Sequence, residues 1–233
     1  MRWIWNEQTI RWFLDASAYT GFHKALAKMI LPHLRPEDTL CDAGCGLGRL
    51  DLELAPHVTA IKAIDMNAQA TGVLAIDAQS LGFDNLRVVT GDAMDQSEPF
   101  DILLISFFGK SNLLDLRRLH RRKIIRVVSA DKPSSLYPER FRCKEKETVR
   151  SVCGQLDALG AQYILELGAA EFGQPLRTRS DAELYVLQNA PAAAPDEVDE
   201  FLNECLKPTS REDFPYYLPF KKEFGIFIFD CTP

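Results

Sequence analysis

Seven residues, Asp42-Ala-Gly-Cys-Gly-Leu-Gly48, set an acid ahead of glycines at 44, 46 and 48. Glycines at alternate positions let a chain bend sharply and let a ligand approach the backbone without Cβ atoms in the way. Many nucleotide-binding turns share this, so the glycines alone name no ligand. The carboxylate two residues before the first glycine narrows the field, because it repels a pyrophosphate and suits a cationic amino-acid moiety. Two further acids follow at intervals. Asp65 stands 23 positions after Asp42, where a carboxylate can accept two hydrogen bonds from a ribose diol. Asp92 follows Gly91 and can accept from an adenine exocyclic amine.

These acids need strands to present them. Asp38-Thr-Leu-Cys41 is a short apolar stretch that runs into the glycine turn, and Arg49–Ala55 reads as a helix after it. Ala60–Ile64 ends at Asp65, Leu86–Thr90 runs into Gly91-Asp92, and Phe100–Ser106 is the continuous apolar run of a buried parallel strand. Each acid then sits at a successive strand's C-terminal tip, a graded acceptor site for ammonium, ribose diol and adenine amine. Ile124–Val128, Tyr163–Leu167 and Phe224–Asp230 supply three later strands, the last rich in aromatic and β-branched residues. The expected fold is α/β, with a doubly wound, mostly parallel seven-stranded sheet.

In order and spacing, Asp42-x-Gly44-x-Gly46-x-Gly48, Asp65, Gly91-Asp92 and the Phe100–Ile105 strand resemble the motifs of class I S-adenosylmethionine (SAM)-dependent methyltransferases. The resemblance covers about residues 35–130, the nucleotide half of that Rossmann-like fold. It implies that Asp42 and Gly44 lie by the methionine moiety, Asp65 by the ribose and Asp92 by the adenine. Met66 would pack on an adenine face with Ala93 beside Asp92. Ala43, Cys45 and Gly46 complete the turn around the cofactor, and Ser106, the fourth strand's tip, would lie beside the activated methyl. The implied cofactor is SAM, with S-adenosylhomocysteine as product.

The remainder of the chain carries expectations about the acceptor. The length of 233 residues supports one substantial core, and one domain is the default. Within it, residues 1–34 form a helical cap, 35–130 the SAM-binding half and 168–223 a substrate-side insert. Apolar residues at 4, 10, 13, 14, 22, 26, 29 and 30 recur at helical spacing, with a break at Gly21. Tyr19 and His23 would share one face if that helix were continuous. Tyr19 reads either as a core aromatic or as a residue over the methionine end or the acceptor. About 50 residues separate the last two strands. They hold helices over 180–188 and 194–206, a linker at Pro191–Pro195, and an aromatic, proline-bearing stretch, Phe214–Glu223, that suits a pocket wall. Residues 144–159 read as a helix stopped by Gly160.

A helix over Leu113–Lys123 would carry the cations Arg117 to Lys123 at its end. Because it leads into the fifth strand, the cluster should face away from the carboxyl edge, where ligands bind. The net charge of −6 does not attract a phosphate backbone, which disfavours a nucleic-acid acceptor. No stretch approaches the roughly 18 apolar residues of a membrane span, and the expected location is the cytoplasm. Six cysteines at 41, 45, 143, 153, 205 and 231 show no metal-like spacing with the histidines. They read as reduced thiols, and no metal is expected.

The expected activity is methyl transfer from SAM to a small-molecule acceptor. SAM arrives activated, so alignment and water exclusion are the protein's main tasks. The segment Phe107-Phe-Gly-Lys-Ser-Asn112 lacks the Asn/Asp-Pro-Pro-aromatic sequence of many amide- and base-directed methyltransferases. His23, His120, Tyr137, Tyr216 and Tyr217 are bases by type only, so no catalytic residue is assigned. The alternatives are an RNA or protein methyltransferase, a non-catalytic SAM-binding protein, and a NAD-dependent oxidoreductase. Asp42 and the G-x-G-x-G spacing weigh against the last.

Overall fold

A computed structural model describes residues 4–108, 119–131, 136–141 and 147–229. In chain order its helices are α1 Glu7–Thr20, α2 Phe22–Ile30, α3 Arg49–Leu54, α4 Ala68–Ser80, α5 Val149–Ala158, α6 Arg179–Asn189 and α7 Pro195–Cys205. Its strands are β1 Thr39–Ala43, β2 Ala60–Asp65, β3 Leu86–Thr90, β4 Phe100–Ser106, β5 His120–Ser129 and β6 Tyr163–Glu171. They continue as β7 Gln174–Leu176, β8 Lys207–Pro208, β9 Tyr216–Leu218 and β10 Lys221–Phe229. These elements form two compact units. One comprises Met1–Phe22, Lys132–Glu145 and Ala169–Lys222; the other comprises His23–Asp131, Lys146–Gly168 and Glu223–Pro233.

The second unit is built on a seven-stranded sheet of order β3-β2-β1-β4-β5-β10-β6. β1 pairs in parallel with β2 and β4, β2 with β3, and β4 with β5, whereas β10 runs antiparallel to β5. Strand order therefore reverses at β1: the chain builds outward through β2 and β3, then returns to β4 on β1's other side. The crevice at such a switch point is where open α/β sheets bind ligands, and the glycine turn leaves β1 there. Long apolar runs form the central strands because both faces are covered. Ile102, Leu103, Leu104 and Ile105 are all buried, and Cys41, Ile64, Leu103, Ile124 and Phe227 share one core cluster. This is the α/β sheet the sequence predicts.

One sequence expectation fails in this unit. Leu113–Lys123 reads as a helix, but His120 to Lys123 are the first residues of β5, with His120 opposite Phe100 and Lys123 opposite Ile102; residues 113–118 lie outside the described residues. Pairing along β4 overrides the helix preference of this charged stretch. The expected direction of the cluster holds for Arg122. Its Nε donates to Asp38 Oδ1 at 3.1 Å, and Nη2 donates to the His33 carbonyl at 3.3 Å. Asp38 directly precedes β1, so Arg122 neutralises a buried carboxylate at the amino edge of the sheet. His120 also opens β5 at that edge.

The first unit has its own core, formed by Trp12, Leu176, Ala182, Tyr185, Val186, Val198, Leu202 and Leu218. α1 starts from a capping box in which Asn6 and Thr9 exchange hydrogen bonds. Trp12 crosses Tyr185 edge-on at 5.2 Å and donates from Nε1 to Asp181 Oδ1 at 3.0 Å. Arg11 also binds that oxygen, at 2.6 Å. α1 stops at Gly21, whose φ of 64° is left-handed. The helix is therefore not continuous, so Tyr19 and His23 do not share a face.

α6 and α7 match the two expected helices. Before and after them in the chain run the strands of a three-stranded sheet of order β7-β9-β8 that the sequence does not predict. Its outer strands are two and three residues long and contain Pro208 and Pro175. Proline removes a ladder donor and is tolerated on edges, so such strands carry no readable period. Phe214–Glu223, expected as a wall, contains the central strand β9.

Candidate functional site

The glycine turn is hooked onto β2 by its own backbone. Gly44 and Cys45 both donate to the Ile64 carbonyl, at 2.8 and 3.0 Å, and Gly48 donates to Cys45 at 2.9 Å. Gly44, Gly46 and Gly48 all have positive φ, at 84°, 55° and 60°, a region that side-chain-bearing residues enter only at a cost. The alternating glycines thus make a turn that follows from backbone sterics rather than from packing. Gly48 also lies against Leu74 of α4, whose methyls would be 2.3 Å from an added Cβ.

The acids stand on neighbouring tips. Asp65, the last residue of β2, accepts from Gly46 N at 3.0 Å through Oδ2 and from Asn67 N at 2.8 Å through Oδ1. It ties the turn to the start of α4, where Asn67 caps the helix through Ala70 N. The Asp65 carbonyl accepts from Gly91 N at 3.0 Å, which brings the segment after β3 alongside. Asp92 accepts from Met94 N at 2.9 Å and caps a short turn over Ala93–Asp95. Ala93 is nearly buried and Met66 is exposed. Ser106 ends β4 opposite Val127. With strands about 4.8 Å apart, the tips of β3, β2, β1 and β4 form one contiguous row.

Asp42 differs from the other two acids because its side chain is buried. It faces Asp51 of α3, and both carboxyls lie in the interior. Burial pushes both above the usual carboxylate range, helped at Asp51 by the charge of Asp42 and at Asp42 by that of Asp65, while the hydrogen bond with Asp51 holds Asp42 back. Burial also pushes up the neighbouring Cys41 and Cys45 thiols.

No protein-family model matches the chain. A Methanothermobacter thermautotrophicus protein named "Probable cobalt-precorrin-6B C(15)-methyltransferase (decarboxylating)" is 38% identical over 100 residues, 41% of this chain and 52% of that protein. A Methanococcus maripaludis protein of the same name is 28% identical over 99 residues, 42% of this chain and 55% of that one. The chain therefore spans about half the length of the curated relatives it matches. Among solved structures, geranyl diphosphate methyltransferase in complex with SAM shares the fold with a TM-score of 0.53 at 16% identity, over 89% of this chain and 85% of that one. The matched relatives are named methyltransferases, and the chain shares the fold of class I SAM-dependent methyltransferases.

The residues on the row of tips fit the cofactor of a class I methyltransferase. Each Asp65 oxygen takes one backbone donor, which leaves further lone pairs for a diol. Asp42 Oδ1 is buried and, among the described residues, has no donor, so a cation nearby would be favoured. The turn offers bare backbone. Sequence reasoning missed two residues at this turn. One is Asp51. The other is Phe108, whose ring lies so close over Gly44 that an added Cβ would be 2.2 Å from Cγ. Phe107, with φ of 51°, turns the chain into that position, a conformation that no local sequence signal announces.

The remaining nominated residues lie elsewhere. Tyr19 belongs to the first unit, stacked on Tyr217 at 5.0 Å, with the Arg211 guanidinium 5.0 Å from its ring and Phe214 edge-on at 5.9 Å. Tyr217 bonds through its hydroxyl to Glu171, and burial with that carboxylate pushes its pKa up. Tyr137 and Tyr216 pack against the first unit's core. Cys41, Cys45, Cys153 and Cys205 are free thiols, while Cys143 and Cys231 lie outside the described residues. Among the described residues no helix is long and apolar enough to cross a membrane, and no acid, histidine and cysteine group could hold a metal ion.

Proposed function

We propose that this chain transfers a methyl group from SAM to a small-molecule acceptor. The observation that carries the reading is the row formed by the left-handed glycine turn, Asp42, Asp65 and Asp92 at the switch point of the sheet. Asp65 would accept from the ribose diol and Asp92 from the adenine amine, with Met66 and Ala93 beside the base. The Ala43–Gly46 backbone and the buried charge of Asp42 would hold the methionine end, and Ser106 would border the reacting methyl. When bound, SAM supplies a sulfonium-activated methyl open to in-line displacement. The chain's own contribution is then alignment and exclusion of water, which requires no dedicated catalytic base for an acceptor that is deprotonated on binding.

We assign acceptor choice to the first unit, which holds most of the predicted cap and insert. Support comes from its ring set of Tyr19, Phe214 and Tyr217 with Arg211 and Arg177 as cationic neighbours, a surface suited to a flat or anionic small molecule. Tyr19 is assigned to the methionine end or to the acceptor. A cobalt-precorrin, the acceptor named for the two relatives, is the first compound to assay. A cytoplasmic location accompanies this reading.

Incubation with methyl-labelled SAM and a panel of small acceptors, cobalt-precorrins included, tests the function. Label should move to a small molecule. Transfer to RNA or protein alone would replace the acceptor class, and saturable SAM binding without transfer would support a binding protein.

A further inference from the structure

Asp51 is fully buried and Asp42 is 2% exposed. Both oxygens of Asp51 and Oδ1 of Asp42 have no donor among the described residues. The nearby cations are engaged elsewhere: Arg49 binds the Leu47 carbonyl and Asp77, and Lys62 binds Gln96. Around the pair stand Asp65 on β2, Cys41 on β1, Cys45 in the turn, and Arg49 on α3. Three of those four neighbours are acids or thiols, and the one cation, Arg49, acts on Asp51 while it is bonded to Asp77, so the two buried carboxylates are not offset in full. Two such groups in contact cannot both ionise without a counter-charge, and they hold a proton between them.

We propose that Asp42 and Asp51 form a proton-sharing carboxyl pair and that binding of the cationic amino-acid end of SAM expels this proton to solvent. The inference rests on the SAM-binding reading above. The ammonium supplies the missing counter-charge, the O–H bond of the carboxyl breaks, and both carboxylates remain ionised in the complex. Burial pushes both carboxyls up, Asp42 to about 7, which places the exchange near neutral pH. Asp51 is thereby a positioning residue that acts through Asp42 and makes cofactor affinity pH-dependent.

S-adenosylhomocysteine carries the same ammonium and cannot react, so it is the probe. Calorimetric titration at about pH 6.5, in buffers of different ionisation enthalpy, should show close to one proton released per ligand bound. Affinity should rise as pH increases towards neutrality, by up to about tenfold per unit. In Asp51→Asn, which retains a hydrogen-bonding partner for Asp42, binding should persist and this release should disappear. A ligand-free readout accompanies it: the infrared carbonyl band of a protonated buried carboxyl should be present in the wild type at neutral pH and lost on adding ligand. Binding with no proton release and no change in that band overturns the proposal while leaving the SAM reading intact. Failure of the wild type to bind S-adenosylhomocysteine at any pH overturns both. The wild-type measurements decide the matter even if Asp51→Asn does not fold, and Asp51→Ser provides a second variant.

Discussion

Adding one methyl group at three glycines of the second unit separates backbone strain from packing in the cofactor turn. Gly82 has φ of 72° with nothing within 4 Å of an added Cβ. Gly82→Ala should therefore show the conformational cost alone, about 1–2 kcal/mol, less the roughly 0.4–1 kcal/mol gained by stiffening the unfolded chain. Gly48 has φ of 60°, and its added Cβ would meet both methyls of Leu74 at 2.3 Å. Leu74 is fully buried and has nowhere to go, so overpacking of about 1–3 kcal/mol adds to the same strain. The net loss for Gly48→Ala is then about 2–4 kcal/mol, several times that for Gly82→Ala. Gly44 has φ of 84° and would clash with Phe108, which is 45% exposed and can swing into solvent. Gly44→Ala should fall between the two in stability, yet weaken S-adenosylhomocysteine binding most, because the methyl group occupies the ligand's approach. Urea denaturation and calorimetry provide both numbers. If Gly48→Ala proved as mild as Gly82→Ala, close packing of the turn on α4 would be wrong.

Further predictions concern buried charge and acceptor choice. Arg126 is fully buried and ion-paired with Glu147, which also accepts from Gln155; Glu147→Ala should lower unfolding stability by about 3–5 kcal/mol, whereas a loss under about 1 kcal/mol would mean that Arg126 does not depend on the pair. Asp42 is pushed up to about 7 from an ordinary 3.8. A raised acid favours the folded state below its unfolded value and loses that contribution as pH rises through its folded value. Thermal stability should therefore decline between about pH 4 and pH 7, by roughly 4 kcal/mol at most from this group, and Asp51→Asn should flatten the profile; a flat wild-type profile would contradict the shared proton. Tyr19→Ala should raise KM for either SAM or the acceptor, and unchanged values for both would confine Tyr19 to the packing of the first unit.

The glycine turn and the parallel strands around it were readable because their signals are local and redundant. Each strand tip joins a buried apolar run to an acid or a glycine, and the glycine φ values follow from residue type. Other features depend on partners distant in sequence. His120–Lys123 becomes strand because β4 pairs with it, and β7 and β8 exist because β9 lies between them. Asp51 was legible in principle: it lies on a helix beside Leu50 and Leu54, both buried, and an acid on such a buried face must find a partner. Phe108 was not legible, since only the turn at Phe107 aims it at Gly44.

The ribose contact of Asp65 is the claim on which the cofactor assignment turns. Calorimetric titration of S-adenosylhomocysteine into the wild type and Asp65→Ala tests it directly. Saturable one-site binding to the wild type, weakened by about 1–3 kcal/mol in the variant, is the predicted result. Equal affinity in both proteins would contradict the ribose assignment, and no binding to the wild type would contradict the SAM site itself.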